Sequence, residues 1–437
     1  MNIKENLIKL INEKKAKVGI IGLGYVGLPL SLRFSEGGFF VCGFDIDKKK
    51  VEKINKGETY ISQFSSERIT NVVNKNLLKA TYDFSLIKEM DAIIICVPTP
   101  LGKHNDPDIS FIVNTMESIL PYIREGQIIS LESTTYPGTI EEEIVARVEK
   151  KGFKVGENYF VVFSPEREDP GNKKFHTQII PKVLGGYTSS CREIGTKLYG
   201  SVIDKIVEVS STKAAEMTKL LENIFRSVNI GLVNELKIVC DKMGIDIWEV
   251  IDAASTKPFG YMPFYPGPGL GGHCIPIDPF YLTWKAHEYK MHTRFIELAG
   301  EINTSMPEWV VTKTIDGLNR FKKAINGANI LVLGLAYKKN VSDTRESPSV
   351  EVMELLLQKG AIVDYSDPYV LEFPEMRKHK LDLKSVALTE NNLKKYDAII
   401  IATDHDDFDY DFILKNSALI IDTRGRYRKN YPNVIKA

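Results

Sequence analysis

The sequence predicts an α/β protein with two doubly wound, Rossmann-like domains joined by a long central helix. Three observations support this fold class. An apolar strand, a glycine-rich turn and a helix open the N-terminal half, a similar order returns from residue 328, and a helical run starting near Ser211 lies between them. A chain of 437 residues is also longer than a single core usually supports. We therefore expect three domains, over residues 1–205, 206–318 and 319–437.

Composition excludes several classes of function. Lysine plus arginine and aspartate plus glutamate number 57 each, so no net charge draws the protein to nucleic acid or to an anionic membrane. No apolar run reaches the ~20 residues that span a bilayer and no signal-peptide pattern is present, so we expect a cytoplasmic protein. The five cysteines form no CxxC pair and the histidines do not cluster, which argues against a disulfide framework and against a metal site.

The first glycine turn, GLGYVG, predicts a dinucleotide site. Gly22 permits the tight turn, Gly24 lets a pyrophosphate approach the backbone, and Gly27 lets the helix pack closely on the strand. The free amides of the helix N-terminus are available to the phosphates. Tyr25 and Val26, which lie between these glycines, are predicted to contact the cofactor as well.

Asp45 predicts which dinucleotide is bound. It ends the second strand, 23 positions after Gly22, close to the ~20 typical of the acid that binds the adenosine ribose. Its carboxylate accepts hydrogen bonds from a ribose diol and repels a 2′-phosphate, so the sequence favours NAD over NADP. The alternative is a plain turn residue beside Asp47.

Three further strands, over residues 91–98, 127–133 and 159–166, alternate with helical or polar stretches as a parallel sheet requires. Ligands bind at the carboxyl ends of such strands. Thr99, Thr135 and Glu166 lie at these ends, in the segments VPTP, ESTTYPG and SPE. We therefore take them as candidate site residues.

The central helical run begins near Ser211, ends at Gly244 and carries apolar residues three and four positions apart. At ~1.5 Å per residue, such a helix is longer than a small domain. It suits a linker between two lobes and the interface of a homodimer.

Cys274 stands in GPGLGGHCIPIDP, among glycines and prolines that allow close backbone approach. NAD alone cannot carry an alcohol beyond the aldehyde, because the aldehyde has no hydroxyl-bearing carbon until a nucleophile adds to it. A thiolate adds to give a thiohemiacetal, a second hydride leaves to give a thioester, and water releases the acid. The alternative for Cys274 is a structural residue in a hinge.

The other four cysteines have plainer interpretations. Cys42 and Cys96 lie in apolar strands and Cys240 on an apolar helix, where a thiol behaves as a small hydrophobic group. Cys191 is expected at the start of a surface helix.

The C-terminal half starts with ANILVLGLAYKKN and adds strands over residues 397–403 and 418–424. Its first loop is basic and lacks the full glycine fingerprint, which suits a mononucleotide diphosphate better than a dinucleotide. The sequence thus predicts NAD in one lobe and a nucleotide in the other.

Five ordered motifs carry a resemblance over nearly the whole chain. GLGYVGLP, SPEREDPG, AAEMTKLLEN, GPGLGGHCIPIDP and GLAYKKNVSDTRESPS resemble the UDP-sugar 6-dehydrogenases of the UDP-glucose/GDP-mannose dehydrogenase family. The resemblance implies an NAD-binding lobe and a UDP-binding lobe joined by a dimerising helix. It also implies a four-electron oxidation of the sugar C6 alcohol to a carboxylate.

By this resemblance Cys274 is the nucleophile and Asp278 is the carboxylate of the same motif. Lys219 and Asn223, four apart on one helix face, match the residues that stabilise the developing oxyanion. The plain alternatives are solvated helix residues for Lys219 and Asn223, and a cap for Asp278.

Glu166 resembles the general base of thioester hydrolysis, and Thr135 the hydroxyl that positions the water, with a cap as the alternative for Thr135. Lys339 and Arg345 match the basic positions of the C-terminal lobe, with Arg345 facing the cofactor. Arg424, in IIDTRG, falls where a substrate-contacting arginine is expected, and a surface ion pair is its alternative. With Lys339 and Arg424, the predicted substrate contacts are Glu166, Arg167, Lys219, Asn223, Tyr265 and Gly271.

The amino-acid sequences of two loops indicate a branch of the family. Members specific for UDP-glucose usually read FGGxCxPKD and SNPEFLxEG, where this chain has LGGHCIPID and SPEREDPG. Residues 255–260 read STKPFG, where the family pattern leads us to expect an arginine. The sequence therefore resembles the branch that acts on UDP-N-acetylhexosamines, and most of all on UDP-N-acetylglucosamine. UDP-N-acetylmannosamine and UDP-glucose stay open as substrates.

Two other functions also stay open. A non-catalytic nucleotide-sugar sensor would keep both lobes but would not need the set Glu166, Lys219, Asn223, Cys274 and Asp278. A two-electron dehydrogenase of the 6-phosphogluconate type shares the two-lobed layout but needs neither Cys274 nor a nucleotide lobe.

Overall fold

A computed structural model describes residues 2–61, 65–102, 106–167, 177–272, 275–374, 376 and 381–437. The chain divides into two compact units, Met1–Glu222 with Trp284–Met291, and Asn223–Thr283 with His292–Ala437. Each unit has its own sheet. The predicted α/β class with two Rossmann-like sheets is confirmed.

The first unit is built around one sheet. Its strands, among the described residues, are β1 (Val18–Ile21), β2 (Val41–Phe44), β3 (Leu78–Thr81), β4 (Ala92–Ile95), β5 (Ile128–Leu131), β6 (Phe160–Phe163), β7 (Lys182–Gly186) and β8 (Ile206–Val209). They lie in the order β3-β2-β1-β4-β5-β6-β7-β8. Neighbours pair in parallel except β6 and β7, which are antiparallel. Every residue of β1, β2, β4, β5 and β6 is buried, as expected for parallel strands covered on both faces.

Helices flank these strands. They are α1 (Ile3–Asn12), α2 (Gly27–Glu36), α3 (Lys48–Asn55), α4 (Ser66–Asn74), α5 (Ser110–Ile119), α6 (Ala146–Lys150) and α7 (Ser189–Gly200), with a 3₁₀ helix at Phe84–Glu89 and a π-helical turn at Ile140–Val145. Polar caps start several of them, since the side chains of Asn2, Asp47 and Thr188 accept backbone N–H groups of α1, α3 and α7.

Cys191 begins a helix as predicted, but the expected surface position is wrong. Its side chain is fully buried in the first turn of α7. The sulfur accepts a hydrogen bond from the backbone N–H of Val161 at 3.3 Å, because the helix lies against β6 at this point. The thiol therefore fills a core position between helix and sheet.

The second unit holds a smaller sheet. Its elements are α9 (Ile247–Ala254), α10 (Asp278–Glu288), α11 (Arg294–Arg320), β9 (Asn329–Leu333), α12 (Pro348–Gln358), β10 (Ile362–Ser366), α13 (Glu390–Leu393), β11 (Ala398–Ile401), α14 (Tyr410–Asn416), β12 (Ile420–Asp422) and β13 (Val434–Lys436), and the last five residues of α10 belong to the first unit. The strand order is β10-β9-β11-β12-β13, all parallel. Ile330 and Val332 of β9 pack into one apolar cluster and Leu331 and Leu333 into another, so both faces of this sheet are covered.

A single long helix, α8 (Thr212–Met243), contains the division between the units. Its start and end agree with the predicted run. In the second unit it packs closely on α11, where a Cβ added to Gly231 would lie 3.2 Å from the Cα of Ala299. The Asn234 amide donates to the Asn303 carbonyl oxygen at 2.9 Å across the same contact. Along the described residues, no helix combines the length and the apolarity needed to cross a membrane.

Candidate active site

The glycine turn after β1 has the geometry that the sequence predicts. Gly22 has a φ of 90°, and a Cβ there would lie 2.6 Å from the carbonyl oxygen of Cys96. A Cβ on Gly27 would overlap the carbonyl oxygen of Gly22, so only glycine lets α2 start this close to β1. A Cβ on Gly24 would meet no atom within 4 Å. The backbone at Gly24 therefore faces open space, which fits the approach of a pyrophosphate group.

Asp45 fixes this turn from the end of β2. It is 7% exposed, and its carboxylate accepts the backbone N–H of Leu23 at 2.9 Å and that of Asp47 at 2.9 Å. The ammonium group of Lys50 lies 3.7 Å away. A carboxylate offers about four acceptor positions, so two backbone contacts leave capacity for a ribose diol.

The candidate base and the candidate oxyanion lysine meet in the first unit. The ammonium group of Lys219 lies 3.3 Å from a carboxylate oxygen of Glu166. Their side chains are only 5% and 13% exposed, so the interpretation of Lys219 as a solvated helix residue is wrong. Arg167 is held beside them, because its guanidinium bonds Glu222 at 2.6 Å and the carbonyl oxygen of Pro181 at 2.6 Å.

One pocket of the first unit brings together the turn after β1 and the SPE segment. Val26 of the glycine turn lines it together with Glu166 and Arg167. Val26, a predicted cofactor contact, is therefore a neighbour of the predicted substrate contacts Glu166 and Arg167, as expected for side chains at one edge of a parallel sheet.

The two threonines after β5 differ in access. Thr135 is fully buried, and its hydroxyl pairs with that of Thr139 at 2.5 Å. Thr134 is half-buried.

Farther along the loop, the Glu216 carboxylate on α8 accepts the N–H groups of Gly138 at 2.7 Å and of Ile140 at 3.0 Å. Burial raises the pKa of Glu216 to about 7. Thr99, after β4, is also buried.

A buried ion pair that the sequence did not predict supports the SPE segment. The ammonium group of Lys182 lies 2.6 Å from Glu132 and 3.3 Å from the carbonyl oxygen of Pro165. Tyr199 donates to the other Glu132 oxygen at 2.6 Å. Burial raises the pKa of Glu132 against the opposing charge of Lys182. A carboxylate at the end of the apolar strand IISLE and a lysine opening KVLGG were the available sequence signals.

The second unit contains a matching polar contact. Asn223 is fully buried, and its amide donates to the carboxylate of Asp278, the first residue of α10. Arg226, one turn along α8, donates to the Asn223 carbonyl oxygen. The solvated interpretation of Asn223 is therefore wrong, and Asp278 both starts a helix and binds this amide.

Cys274, the predicted nucleophile, lies outside the described residues, and so does His273. The glycines before it have close protein neighbours. A Cβ on Gly271 would lie 2.5 Å from the Cβ of Tyr337, and a Cβ on Gly267 would lie 2.6 Å from the Arg424 guanidinium. These glycines thus have a packing reason in addition to the predicted approach of ligands.

The basic candidates of the second unit have separate partners. Lys339 pairs with Asp406 at 2.6 Å, and Arg345 with Asp343 at 2.6 Å. Arg424 is half-buried, and its Nε donates to the carbonyl oxygen of Ala402 at 2.7 Å. Among the described residues no carboxylate lies within ion-pair distance of Arg424, so the surface ion pair is not observed. Burial lowers the pKa of Arg424.

Tyr265 is 42% exposed. Its hydroxyl donates to Asp252 at 2.8 Å, and the guanidinium of Arg428 lies 5.7 Å from the ring centre. Asp252 and Arg428 therefore hold Tyr265 within the second unit while part of its side chain stays accessible.

Comparison with known proteins identifies three successive domains along the chain. Domains of one family match in order: the NAD binding domain of the UDP-glucose/GDP-mannose dehydrogenase family over residues 16–203, its central domain over 213–305 and its UDP binding domain over 331–429.

Relatives match over most of their length. The chain is 35% identical over 397 residues to a UDP-N-acetyl-D-glucosamine 6-dehydrogenase of Pseudomonas aeruginosa, covering 90% of this chain and 92% of that protein. It is 34% identical over 400 residues to a UDP-N-acetyl-D-mannosamine dehydrogenase of Methanococcus maripaludis, covering 90% and 87%. The solved structure of a UDP-D-ManNAc dehydrogenase from Pyrococcus horikoshii is similar, with a TM-score of 0.86 and 31% identity over 96% of this chain and 98% of that one.

Proposed function

The chain belongs to the UDP-glucose/GDP-mannose dehydrogenase family, and from that premise we propose that it oxidises C6 of UDP-N-acetylglucosamine to the carboxylate. The family's dehydrogenases use NAD and a nucleotide sugar. The proposal concerns the sugar, the four-electron route and the residues that carry it.

One observation supports the catalytic assignment above all. Two side chains one helical turn apart on α8 each hold a buried partner, Lys219 with Glu166 in the first unit and Asn223 with Asp278 in the second. Burial of polar side chains costs free energy unless they are hydrogen-bonded or paired, and each of these two pairs meets that need. A buried ammonium group and a buried amide supply the hydrogen-bond donors that an oxyanion needs.

The proposed chemistry assigns each group a separate task. The C6 alcohol first loses a hydride and its hydroxyl proton to give the aldehyde, and the Cys274 thiolate adds to the aldehyde carbon. The adduct loses a second hydride to give the thioester, and the thiolate leaves again when water attacks the thioester carbon. Lys219 and Asn223 donate to the oxyanion of each tetrahedral adduct. Glu166, 3.3 Å from the Lys219 ammonium group, takes the proton of the attacking water.

The residues of the first unit fit NAD. Gly24 exposes backbone to open space and Asp45 keeps acceptor capacity next to it. When bound, NAD supplies the hydride acceptor for both oxidation steps. The Asp45 carboxylate accepts the N–H of Leu23 and so holds the glycine turn in place. The turn therefore does not need the cofactor to take up this conformation.

Two loops and one relative support UDP-N-acetylglucosamine. The segments SPEREDPG and GHCIPID differ from the wording usual for UDP-glucose, and the Pseudomonas relative is named for UDP-N-acetyl-D-glucosamine. A pocket with partners for an acetamido group discriminates against a sugar that lacks it, because its buried polar groups are then unpaired. The C2 epimer, UDP-N-acetylmannosamine, is the nearest competitor.

The experiment is a panel of UDP-sugars with NAD or NADP, following NADH and identifying the product by mass. We expect two NADH per sugar, the uronate as product, and a higher kcat/KM for UDP-N-acetylglucosamine than for UDP-glucose. Equal efficiency on UDP-glucose, or activity confined to the manno epimer, would overturn the choice of sugar. One NADH per sugar would overturn the four-electron route.

A matched pair of cysteine variants tests the nucleophile. Cys274→Ser is expected to stop acid production while NAD and UDP-sugar still bind, since a serine hydroxyl without a dedicated base is a poor nucleophile. Cys240→Ser, on the half-buried face of α8, is the control and should keep wild-type turnover. Acid production by Cys274→Ser at the wild-type rate would exclude the covalent route.

We also infer a homodimer through α8. Six large apolar side chains on this helix, spaced three, four or seven apart, are between 41% and 66% exposed: Leu221, Phe225, Leu232, Leu236, Val239 and Met243. Such a stripe on a single chain marks a surface for a partner. Light scattering should give twice the mass of one chain for the wild type and one chain for Leu232→Lys with Leu236→Lys. Leu357→Lys, an exposed leucine on α12, is the control.

The division into an NAD-binding part (1–205), a central part with the dimer helix and the cysteine loop (206–318) and a UDP-sugar part (319–437) stays our proposal. The matched ranges of the three family domains fall inside these bounds, which supports it. The cytoplasmic location likewise stays a prediction.

A further inference from the structure

The second unit contains a basic cavity whose lining includes none of the residues assigned above to catalysis or to cofactor or substrate binding. Its volume is about 300 Å³, and it is lined by the C-terminal part of α8, the start of α9, α11 and the segment 429–437. Five cationic side chains contribute to the lining, and two acidic side chains oppose them together with the last residue, Ala437: Lys237, Lys313, Arg320, Lys429 and Lys436, with Asp241 and Asp246.

Local pairing leaves part of this positive charge uncompensated. Lys313 pairs with Asp241 at 2.7 Å, and Lys436 pairs with Asp246. Arg320 and Lys429, both exposed at the rim, have no carboxylate within ion-pair distance in the described part of the chain. The cavity therefore carries excess positive charge where a ligand would enter.

Two indoles add hydrogen-bond donors that lack an acceptor. Trp248 and Trp309 line the cavity, and the Nε1–H group of each is buried without a hydrogen-bond partner among the described residues. Trp248 as a whole is 2% exposed. Buried N–H groups are nearly always satisfied in folded proteins, so these two donors become available to an oxygen-rich ligand when the side chains that cover them move aside.

Lys237 connects the cavity to the cysteine loop. It is 2% exposed, and its ammonium group donates at 3.1 Å to the carbonyl oxygen of Gly267, the first residue of GPGLGGHC. The N–H of Gly267 is held by Asn234 at 3.0 Å. Burial, and then the charge of Arg424, lower the pKa of Lys237 to about 7. An anion in the cavity would favour the charged form of Lys237 and strengthen its hold on Gly267.

We propose that this cavity binds the diphosphate group of a small molecule and that its occupancy tightens the cysteine loop through Lys237. Tetrahedral phosphate oxygens accept from several directions, which matches guanidinium, ammonium and indole donors that surround one space. All residues that line the cavity belong to the second unit, so binding of the diphosphate does not depend on the proposed function. Its effect on turnover rests on the proposed function, since it acts on the loop that carries Cys274.

Tryptophan fluorescence reads binding without any measurement of activity. The chain has three tryptophans, and two of them line the cavity, so Trp284→Phe leaves only reporters of this site. We expect inorganic pyrophosphate to change the emission saturably. Arg320→Gln with Lys429→Gln should weaken its binding by about tenfold or more. Lys359→Gln with Lys415→Gln removes the same charge from exposed positions outside the lining and should change nothing.

Parallel titrations with pyrophosphate and UDP separate a free diphosphate from a nucleotide, and a response to either that the Arg320 and Lys429 variants weaken supports the site. Calorimetry on the wild type repeats the test without the Trp284 change. No saturable response, or one that the variants leave unchanged, would overturn the proposal whether or not the enzyme oxidises UDP-sugars.

The link to the loop has its own measurement. Pyrophosphate should slow amide hydrogen exchange in residues 265–272 of the wild type and not in Lys237→Gln. Unchanged exchange in the wild type, with pyrophosphate bound, would show that the cavity does not act on the cysteine loop.

Discussion

The first turn of each sheet starts in the same way and then takes a different course. Gly22 and Gly334 both follow the first strand with φ near 90° and 84°, and a Cβ on either would press on the carbonyl oxygen after the neighbouring strand. Two positions later the turns differ. Gly24 faces open space, whereas Ala336 is fully buried and its carbonyl oxygen accepts the hydroxyl of Thr403 at 2.6 Å.

The acidic residue that follows the second strand of each unit, Asp45 after β2 and Asp367 after β10, also differs in how open it is to a ligand. Asp45 accepts one N–H of its turn, from Leu23, and keeps acceptor capacity. Asp367 accepts N–H groups of Leu335 at 2.7 Å and Ala336 at 3.0 Å, and His405 Nε2 lies 3.1 Å away with both side chains fully buried. Burial works to raise the pKa of Asp367, but the hydrogen bond and charge of His405 outweigh it and lower the pKa. The first unit thus leaves the Asp45 carboxylate available to a ribose, whereas the second unit buries the Asp367 carboxylate and fills its acceptor positions.

The comparison teaches that a Rossmann-like sheet does not by itself select a dinucleotide. Both turns have the first glycine and both acids bind the turn. What differs is whether the next backbone atoms and the carboxylate have room beside them.

The largest effect is expected from Asp367→Ala. Removing the carboxylate leaves four backbone N–H groups and a buried histidine without their acceptor, since Tyr369 and Val370 also donate to it. The free energy of unfolding should fall by about 3–5 kcal/mol. Denaturant unfolding measures this loss, with Asp45→Ala as the matched variant in the first unit. An equal loss in both variants would remove the distinction between a sealed and an open acid.

Gly24→Val should weaken cofactor binding and leave the protein folded. The added side chain enters open space, so the protein is expected to stay folded while NAD affinity falls by about 100-fold, or ~2.8 kcal/mol. Fluorescence titration with NADH measures the affinity. Ala336→Gly, at the matching position of the second turn, should leave it unchanged. Wild-type affinity in Gly24→Val would mean that this backbone is not the cofactor surface.

Asp45→Ala should change cofactor choice. It removes a ribose acceptor and the charge that repels a 2′-phosphate, with an expected loss of roughly 1.5–3 kcal/mol in NAD binding. The ratio of kcat/KM for NAD to that for NADP should fall. Steady-state kinetics with both cofactors gives this ratio, and an unchanged ratio contradicts the assignment.

The two units also treat a buried lysine differently. Lys182 has a carboxylate at 2.6 Å, whereas Lys237 has the carbonyl oxygen of Gly267. The pKa of Lys237 is lowered from 10.5 to about 7, so the folded protein loses this proton near pH 7 and the unfolded chain keeps it. The unfolded state then binds more protons above pH 7, and stability from this group rises with pH.

Lys237→Met should therefore be more stable than the wild type below pH 7, with the difference shrinking by up to about 1.4 kcal/mol per pH unit above it. Thermal midpoints of both proteins between pH 6 and 9 test the sign. A gap that grows with pH would refute the lowered pKa.

Much of the fold could be predicted from local patterns in the sequence. The glycine turn, the strands of β4 to β6 and the bounds of α8 follow from periodicity and turn residues over short stretches. The antiparallel β7, the buried Cys191 and the histidine over Asp367 depend on segments far apart in the chain, which local periodicity does not record. His405 and Asp367 are 38 positions apart, and no local signal joins them.

Candidate site residues divide along the same line. The types and order of Glu166, Lys219, Asn223 and Asp278 indicated chemistry, and the structure added which of them touch. It also added Glu132 and Lys182, because a buried ion pair between β5 and β7 depends on sheet order. Sequence reasoning gave the chemical groups, and only the packing assigned their partners.

If the stripe of apolar side chains on α8 binds a second copy, as we propose, stability depends on the amount of protein present. A second copy that binds Leu232, Leu236 and their neighbours in the folded chain, and does not bind the unfolded chain, would couple unfolding to dissociation. By mass action the thermal midpoint would then rise with protein concentration. Dilution would act on this fold as a mild denaturant, and a subunit with a defective stripe would weaken its intact partner.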